Sequence, residues 1–389
     1  MSSAHAQDTN SRALSAFEIV ADWVLGQPMR TLLAEFGETS PTDIPIGPES
    51  TWMGLQEELP DWLGPVLDNT PAPEGAMTVS LWKLLQQVLV VESRIADDFD
   101  FRRAENGKYR ERAQASSADF TDEFRARIIS LADELGLVTP RPPEHGSYDL
   151  TLVLGGGYRS PLLRSRLAAQ LAAAGTELGV IYSLGSPRFL IEEPAEAPEV
   201  ADYAPDAHDE FGLMCAGATA EFGVDIGAVE FLCGCLDDQS ICPEWPHSDD
   251  PDDAADIART PTEYTHLRSA DLIDTTPGRR RGAVLSARTS RPPFRPDTSD
   301  TYELLGRVAE PHGGQKALIV TTQVFVPFQR FDGLRRLWLP FGVDVDAVGF
   351  GADWGDRPLT AEYLLQEVLS GIRSARRLLV DAADILRQS

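Results

Sequence analysis

The chain has 389 residues with 34 basic against 61 acidic side chains, a formal net charge of −27, so its overall field opposes nucleic acid and anionic membrane surfaces as partners. A 42% hydrophobic and 24% charged content is that of an ordinary globular protein, long enough for a sizeable core and two domains. Four cysteines at this length exclude a disulfide framework, and an anionic ligand has to be drawn in by a local basic cluster.

Residues 1–12 are polar, lack the apolar stretch of a secretory leader and read as a disordered tail. No stretch approaches the roughly 20 apolar residues of a spanning helix, so the chain reads as cytoplasmic. Residues 13–145 read as an all-helical domain. Phe17, Val20, Trp23, Val24, Leu32 and Leu33 recur at helical spacing, as do Leu81, Leu84, Leu85, Val88 and Val91. A third helix over 120–137 is opened by Thr121 with Asp122 and Glu123 in its first turn. Residues 38–76, rich in Pro, Gly and acids, are expected to form ordered loops with short helices. The Thr139-Pro-Arg-Pro-Pro143 segment marks a boundary.

From 147 onward the pattern alternates between strand and helix. Strands are expected at 149–154, 178–184, 228–232, 283–287, 317–321 and 344–349. Helices are expected at 161–174, 207–222, 302–309, 331–337 and 361–386. This alternation specifies a Rossmann-like α/β/α domain over 147–389 with a mostly parallel sheet. Ligands of such sheets lie beyond the strand carboxyl ends, where strand order reverses. The segment 237–281, with its acidic Ser248-Asp-Asp-Pro-Asp-Asp run, reads as an insertion or lid, or as a plain surface loop.

The strongest local pattern is Leu150-Thr-Leu-Val-Leu154 running into Gly155-Gly156-Gly157, after which Ser160-Pro161 opens a helix. Glycines let the backbone come close to a ligand, and the first amides of a helix attract an anion. Ser160 is expected at the N-cap and Pro161 at the first helical position. Arg159, Arg164 and Arg166 surround the loop, and one arginine fork suffices for phosphate or carboxylate; the alternative for Arg164 and Arg166 is a solvated helix face. A second cluster, Asp297-Thr298-Ser299-Asp300-Thr301, either caps a helix or binds a ribose or a catalytic water. A third, Thr321-Thr322-Gln323, ends a buried strand and is followed by Phe325, Phe328, Gln329 and Arg330; the aromatics are core or a stacking surface for a base.

The glycine turn, Ile181-Tyr-Ser183-Leu-Gly185, Thr298-x-Asp300-Thr301 and Leu318-Ile-Val-Thr-Thr322 together resemble the DUF218 family of SanA- and YdcF-like proteins. The resemblance covers roughly 148–350. It implies a Rossmann-like domain and a nucleotide- or S-adenosylmethionine-like ligand, or a role in envelope metabolism, with no single reaction. It adds Ser183 and Gly185 to the ligand-binding set. This chain departs from the family by lacking a histidine after the third-cluster strand, by carrying Thr301 where asparagine is usual, and by lacking a membrane anchor.

Two functions are thus expected from the sequence. One is a small-molecule hydrolase or group transferase with Asp300, Thr322 and Gln323 at the reacting part. Its ligand is held by Gly155, Gly156, Gly157, Arg159, Ser160, Arg164, Ser183, Gly185, Thr298, Thr301, Thr321 and Gln329. The other is a non-catalytic binding or regulatory module whose helical domain docks a protein partner. Cys233, Cys235, Cys242 and His247 could make a zinc site with Cys215 or His208, but the cysteines are read as small apolar core residues, so no metal is expected.

Overall fold

A computed structural model describes residues 3–37, 75–76, 78–102, 117–190, 195, 197–236, 240, 242–245, 249–260, 262–275, 280–354 and 359–389. In chain order the main elements begin with helices α1 (Ser3–Val24), α2 (Gln27–Glu35), α3 (Val79–Phe99) and α4 (Asp122–Glu134). There follow β1 (Leu150–Leu154), α5 (Ser160–Ala173), β2 (Val180–Gly185), α6 (Glu210–Phe222), β3 (Val224–Ile226) and β4 (Glu230–Phe231). Then come α7 (Pro251–Arg259), β5 (Arg268–Asp274), β6 (Arg280–Ser286), α8 (Thr298–Ala309) and β7 (Lys316–Thr322). The chain ends with α9 (Val326–Gly333), β8 (Asp344–Phe350) and α10 (Ala361–Gln388). Two compact units result: a helical one (1–139, 323–342 and 357–389) and an α/β one (140–322 and 343–356).

The helical unit differs from expectation at both ends. The tail predicted over 1–12 is helical from Ser3, and Arg12 fixes it by donating from Nε to the Leu339 carbonyl at 3.0 Å. The closing helix α10, expected with the sheet, packs with α1, α3, α4 and α9 inside this unit. Leu364, Leu365, Val368, Leu369, Ile372, Leu378 and Leu379 form its fully buried stripe, each contributing about 2 kcal/mol by burial. Gly371 gives room for Trp23, since a Cβ there would lie 2.6 Å from the indole. Trp23 in turn donates to the Leu135 carbonyl and meets the Phe331 ring edge-on. The expected Thr121 cap of α4 is present, its hydroxyl accepting from Phe124 N–H. The loops expected over 38–74 lie outside the described residues.

The α/β unit is a mixed sheet of eight strands in the order β3-β5-β6-β2-β1-β7-β8, with β4 also paired to β5. Strands β6, β2, β1, β7 and β8 are parallel, whereas β5 runs antiparallel to β6, and β3 and β4 antiparallel to β5. All five residues of β1 are buried, as expected for a central strand covered on both faces. One face packs Val153, Ile181, Val284 and Val320 against Ala168, Phe211, Met214 and Ala218 of α5 and α6. Both α6 and α8 contact β2 and β6, so α8 lies on the opposite face. The chain builds outward from β1 to β2 and β6, then returns to place β7 and β8 on the other side. Strand order therefore reverses between β1 and β7, the place where doubly wound sheets bind ligands.

The segment 237–281 is not a plain loop. It contains α7, where Asp250 caps the acidic first turn by accepting from Asp252 N–H, and β5, whose Ala270 and Leu272 point into the core. A bulge at Leu272/Ile273 offsets β5 against β6. Beside it Gly282 lets β6 approach β2 so closely that a Cβ would sit 1.7 Å from the Ile181 carbonyl oxygen.

Candidate functional site

At the strand-order reversal the β1–α5 loop, residues 155–160, is half-buried. Its three glycines are not equivalent. Gly155 is required by packing: a Cβ there would lie 2.2 Å from Glu210 Oε1 and 2.8 Å from the Leu184 carbonyl oxygen. Gly156 faces the start of α5, with Ser160 Cβ at 3.3 Å and Arg164 Nη1 at 3.4 Å from the added carbon. After Gly157 the strain falls on a non-glycine residue, Tyr158, at φ +55°, a left-handed backbone that bulky side chains adopt at a cost of about 1–3 kcal/mol. The Tyr203 hydroxyl holds this conformation by donating to the Tyr158 carbonyl at 2.7 Å.

The helix start differs by one residue from expectation. Arg159 occupies the N-cap of α5, with Ser160 and Pro161 following in the first turn, and no side chain caps the helix. The reason is local: Arg159 is already in the right-handed helical region, and Ser160 N–H bonds to the Gly157 carbonyl at 3.2 Å. The α5 N-terminus thus relies on backbone and loop, not on an Asx- or Ser-type cap.

Arg164 is the central side chain. It is 2% exposed, and its Nη1 donates to the carbonyls of Leu154, at 3.0 Å, and of Gly155. Its Nη2 donates to Thr322 Oγ1 at 3.2 Å. One guanidinium therefore joins the carboxyl ends of β1 and β7 across the reversal. The solvated-face alternative does not hold for Arg164, but it does describe its neighbours: Arg159 pairs with exposed Asp202 at 2.9 Å, and Arg166 with Glu221 at 2.7 Å.

Beside this loop lies a second charged group. Asp209 does cap α6, accepting from Gly212 N–H at 2.8 Å, and it also receives a bond from buried Arg268 at the start of β5. The Arg268 guanidinium lies 4.6 Å from the centre of the Phe211 ring. Glu210 sits over Gly155, accepts from Ser186 Oγ at 2.7 Å and lies 3.7 Å from Arg188 Nε. The available signal for Arg268 was the strict alternation of Arg268, Ala270 and Leu272 with Ser269 and Asp271, a half-buried strand pattern.

The other nominated residues divide by environment. Gly185 ends β2, where a Cβ would meet Met214 and Glu210. Ser183 is fully buried in β2, on the α5/α6 face beside Val153. Thr321 is fully buried on the face opposite Thr322, as strand alternation requires. Thr298, Asp300 and Thr301 form the first turn of α8. Asp297 and Asp300 make a capping box there, and Asp300 accepts from Ser290 N–H at 3.1 Å and Asp297 N–H at 2.8 Å. Burial pushes its carboxyl above the ordinary aspartate range, against the bond from Ser290. Thr301 Oγ1 donates to the Thr298 carbonyl. Gln323 and Gln329 belong to the helical unit. Gln323 Nε2 donates to the Gly136 carbonyl at 2.8 Å, and Phe325 packs with Phe328 and Tyr363.

Of the cysteines, Cys233, Cys235 and Cys242 are buried, as expected, and Cys215 is half-buried. Three of the four converge: Cys233, Cys235, Cys242 and His266 are all buried, and their ligand atoms lie within 4.8 Å of one another. His266 completes the set rather than His208, which is exposed on the approach to α6, or Cys215, which lies within α6; His247 lies outside the described residues. All are free thiols. Burial raises the Cys215 thiol to about 12. It also acts to raise Cys233, but bonds from the Leu267 backbone, His266 and Cys235 outweigh it and lower that thiol to about 7.

Among the described residues no helix is long and apolar enough to cross a membrane. No family model matches the chain, and no solved structure matches it. The uncharacterized proteins Mb3814 of Mycobacterium bovis and Rv3785 of Mycobacterium tuberculosis are each 35% identical to it over 273 residues, 67% of this chain and 68% of theirs. MT3893 of Mycobacterium tuberculosis strain CDC 1551 matches to the same extent. At that identity and coverage the chain belongs to the family of these mycobacterial proteins.

Proposed function

We propose that this protein binds an anionic small molecule of nucleotide or S-adenosylmethionine type at the β1–α5 loop and acts on it as a hydrolase or group transferase. The observation that carries this reading is the buried Arg164 guanidinium, fixed between the β1 and β7 carboxyl ends at the reversal of strand order. Around it, a helix start without a side-chain cap and the left-handed backbone of Tyr158 supply oriented amides and stored strain, both expected of a ligand loop. The strand-end motifs that resemble those of the DUF218 family carry the same expectation. Glu210, beside Gly155, is the carboxylate best placed to act on a ligand held there.

The non-catalytic reading, with a protein partner for the helical unit, is favoured by a specific observation. The side chains expected at the reacting part are all engaged: Asp300 in a capping box, Thr322 by Arg164, Gln323 by Gly136. Calorimetric titration with ATP, S-adenosylmethionine and inorganic phosphate tests binding first. At least one is expected to bind the wild-type chain and none Gly156→Glu, which places bulk and negative charge beside Arg164. Binding that is unchanged in a folded Gly156→Glu protein removes the loop from the site. Binding without product formation over long incubation selects the non-catalytic reading.

A further inference from the structure

The sheet edge carries a second site, independent of the ligand loop. Strand β4 has only two residues, pairing Glu230 with Ser269 and Phe231 with Arg268, too short to hold an edge by its own hydrogen bonds. Directly after it the chain turns at Gly234, φ +71°, which brings Cys233 and Cys235 together with their sulfurs 3.2 Å apart. Cys242 arrives from the following loop and His266 from the residues leading into β5. Exposure is 8% or less for all four. Three of the four cysteines in the chain and a buried imidazole meeting at one point is not explained by their volume as small apolar residues.

We propose that Cys233, Cys235, Cys242 and His266 bind a structural zinc ion. Three thiolates and one imidazole are a complete tetrahedral donor set with no position left open, which is the mark of a structural rather than a catalytic site. Zn–S bonds of about 2.3 Å separate tetrahedral sulfurs by about 3.8 Å. Closing on the ion therefore needs only small shifts from the present spacing within 4.8 Å. The surroundings match thiolate ligation as well. Leu267 N–H points at Cys233 Sγ at 3.5 Å, and Arg288 Nη1 at Cys242 Sγ at 3.7 Å. These donors offset the single negative charge of a zinc ion bound to three thiolates, the usual task of groups around a metal site. Binding replaces three S–H protons by one Zn2+, with neutral His266 as fourth ligand, so no oxidant or reductant is involved.

The ion would tie the excursion between β4 and β5 to the sheet. It would also fix Leu267, and so hold Arg268, its chain neighbour, against Asp209 and Phe211. Plasma-source mass spectrometry of the full-length chain, expressed with zinc and dialysed against metal-free buffer, is expected to find one zinc per chain. Cys215→Ser should retain it, and Cys235→Ser and Cys242→Ser should lose it with a lowered melting temperature. Should those variants fail to fold, cobalt exchange into the wild-type chain provides the second measurement, with the ligand-field and sulfur charge-transfer bands of a tetrahedral thiolate complex expected. A metal-free wild-type chain, iron in place of zinc, a Cys233–Cys235 disulfide on peptide mapping, or octahedral cobalt would each overturn the assignment. None of these outcomes bears on ligand binding at Gly156, so the two proposals fail separately.

Discussion

Among the described residues of the helical unit the most deeply buried members of ion pairs are acids, and arginines reach in to meet them. Glu92, 1% exposed, is met by Arg376 at 2.7 Å and Arg373 at 3.8 Å, and Glu362 by Arg125 at 2.7 Å. Each of those arginines keeps a partly exposed side chain. In the α/β unit the arrangement is inverted. Arg164, Arg188 and Arg268 are themselves buried, and they lie at or near strand ends, where carbonyls, hydroxyls and two helix-start carboxylates receive them. A long side chain that reaches in from the surface can satisfy a buried acid at little cost in fixed geometry. A guanidinium built into a sheet edge is a permanent cation in a defined orientation. The first arrangement holds helices together, while the second fixes cations beside the strand ends.

The contrast is broken most directly at Arg164. Replacement by Met keeps the length and removes donors to the Leu154 and Gly155 carbonyls and to Thr322, leaving buried oxygens unsatisfied. Chemical denaturation is expected to show a loss of about 3 kcal/mol or more, together with loss of ligand binding. A variant of wild-type stability would mean that water replaces the guanidinium and that the reversal point is open to solvent. In the helical unit, Glu92→Ala removes the buried partner of Arg376 and Arg373, of which Arg373 still meets Asp100 at 3.5 Å, and should cost about 2–4 kcal/mol, read from the same denaturation midpoint. It should leave ligand titration of the α/β unit unchanged. Loss of binding in that variant would show that the two kinds of buried charge do not have separate roles.

How much of this was legible depended on how each group is buried. Strands β1 and β7 are covered on both faces, so Leu150–Leu154, apolar but for Thr151, and Ala317–Val320 read as near-continuous apolar runs and their ends located the glycine loop and Thr322. Strand β5 is an edge-proximal antiparallel strand that opens on an arginine, so its run was hidden inside an acidic segment. Helix α10 showed its stripe in the sequence, but a stripe says that a face is buried and not against what. Asp300 was visible as an acid at a helix start, and only the bonds from Ser290 and Asp297 reveal that its oxygens are used in capping. His266 stood alone among Thr265 and Leu267, and no spacing rule connects it to Cys233; the antiparallel pairing of β4 with β5 just before it does. Arg164 could not be told from Arg166 by position on the helix, since both flank the same turn. Their burial separates them.

The smallest expected effect sharpens the comparison by its pH dependence. Glu362 accepts from Ala118 N–H at 2.9 Å as well as from Arg125. Burial acts to raise its carboxyl, but those bonds outweigh burial and hold it below the ordinary glutamate range. A carboxylate with a lowered folded pKa stabilises the fold fully above its unfolded value, and that contribution fades as the pH falls through the folded one. Glu362→Gln keeps the shape and removes the charge. At neutral pH it should cost about 1 kcal/mol, the scale of a partly exposed ion pair. The difference from wild type should shrink between about pH 5 and pH 3, where the wild-type carboxyl takes up its proton. Denaturation midpoints measured at both ends of that window decide the matter. A gap that closes in acid shows that α10 is joined to the segment around Ala118 and Arg125 by charge, whereas one that persists assigns the role of Glu362 to packing and hydrogen bonding that glutamine fails to reproduce.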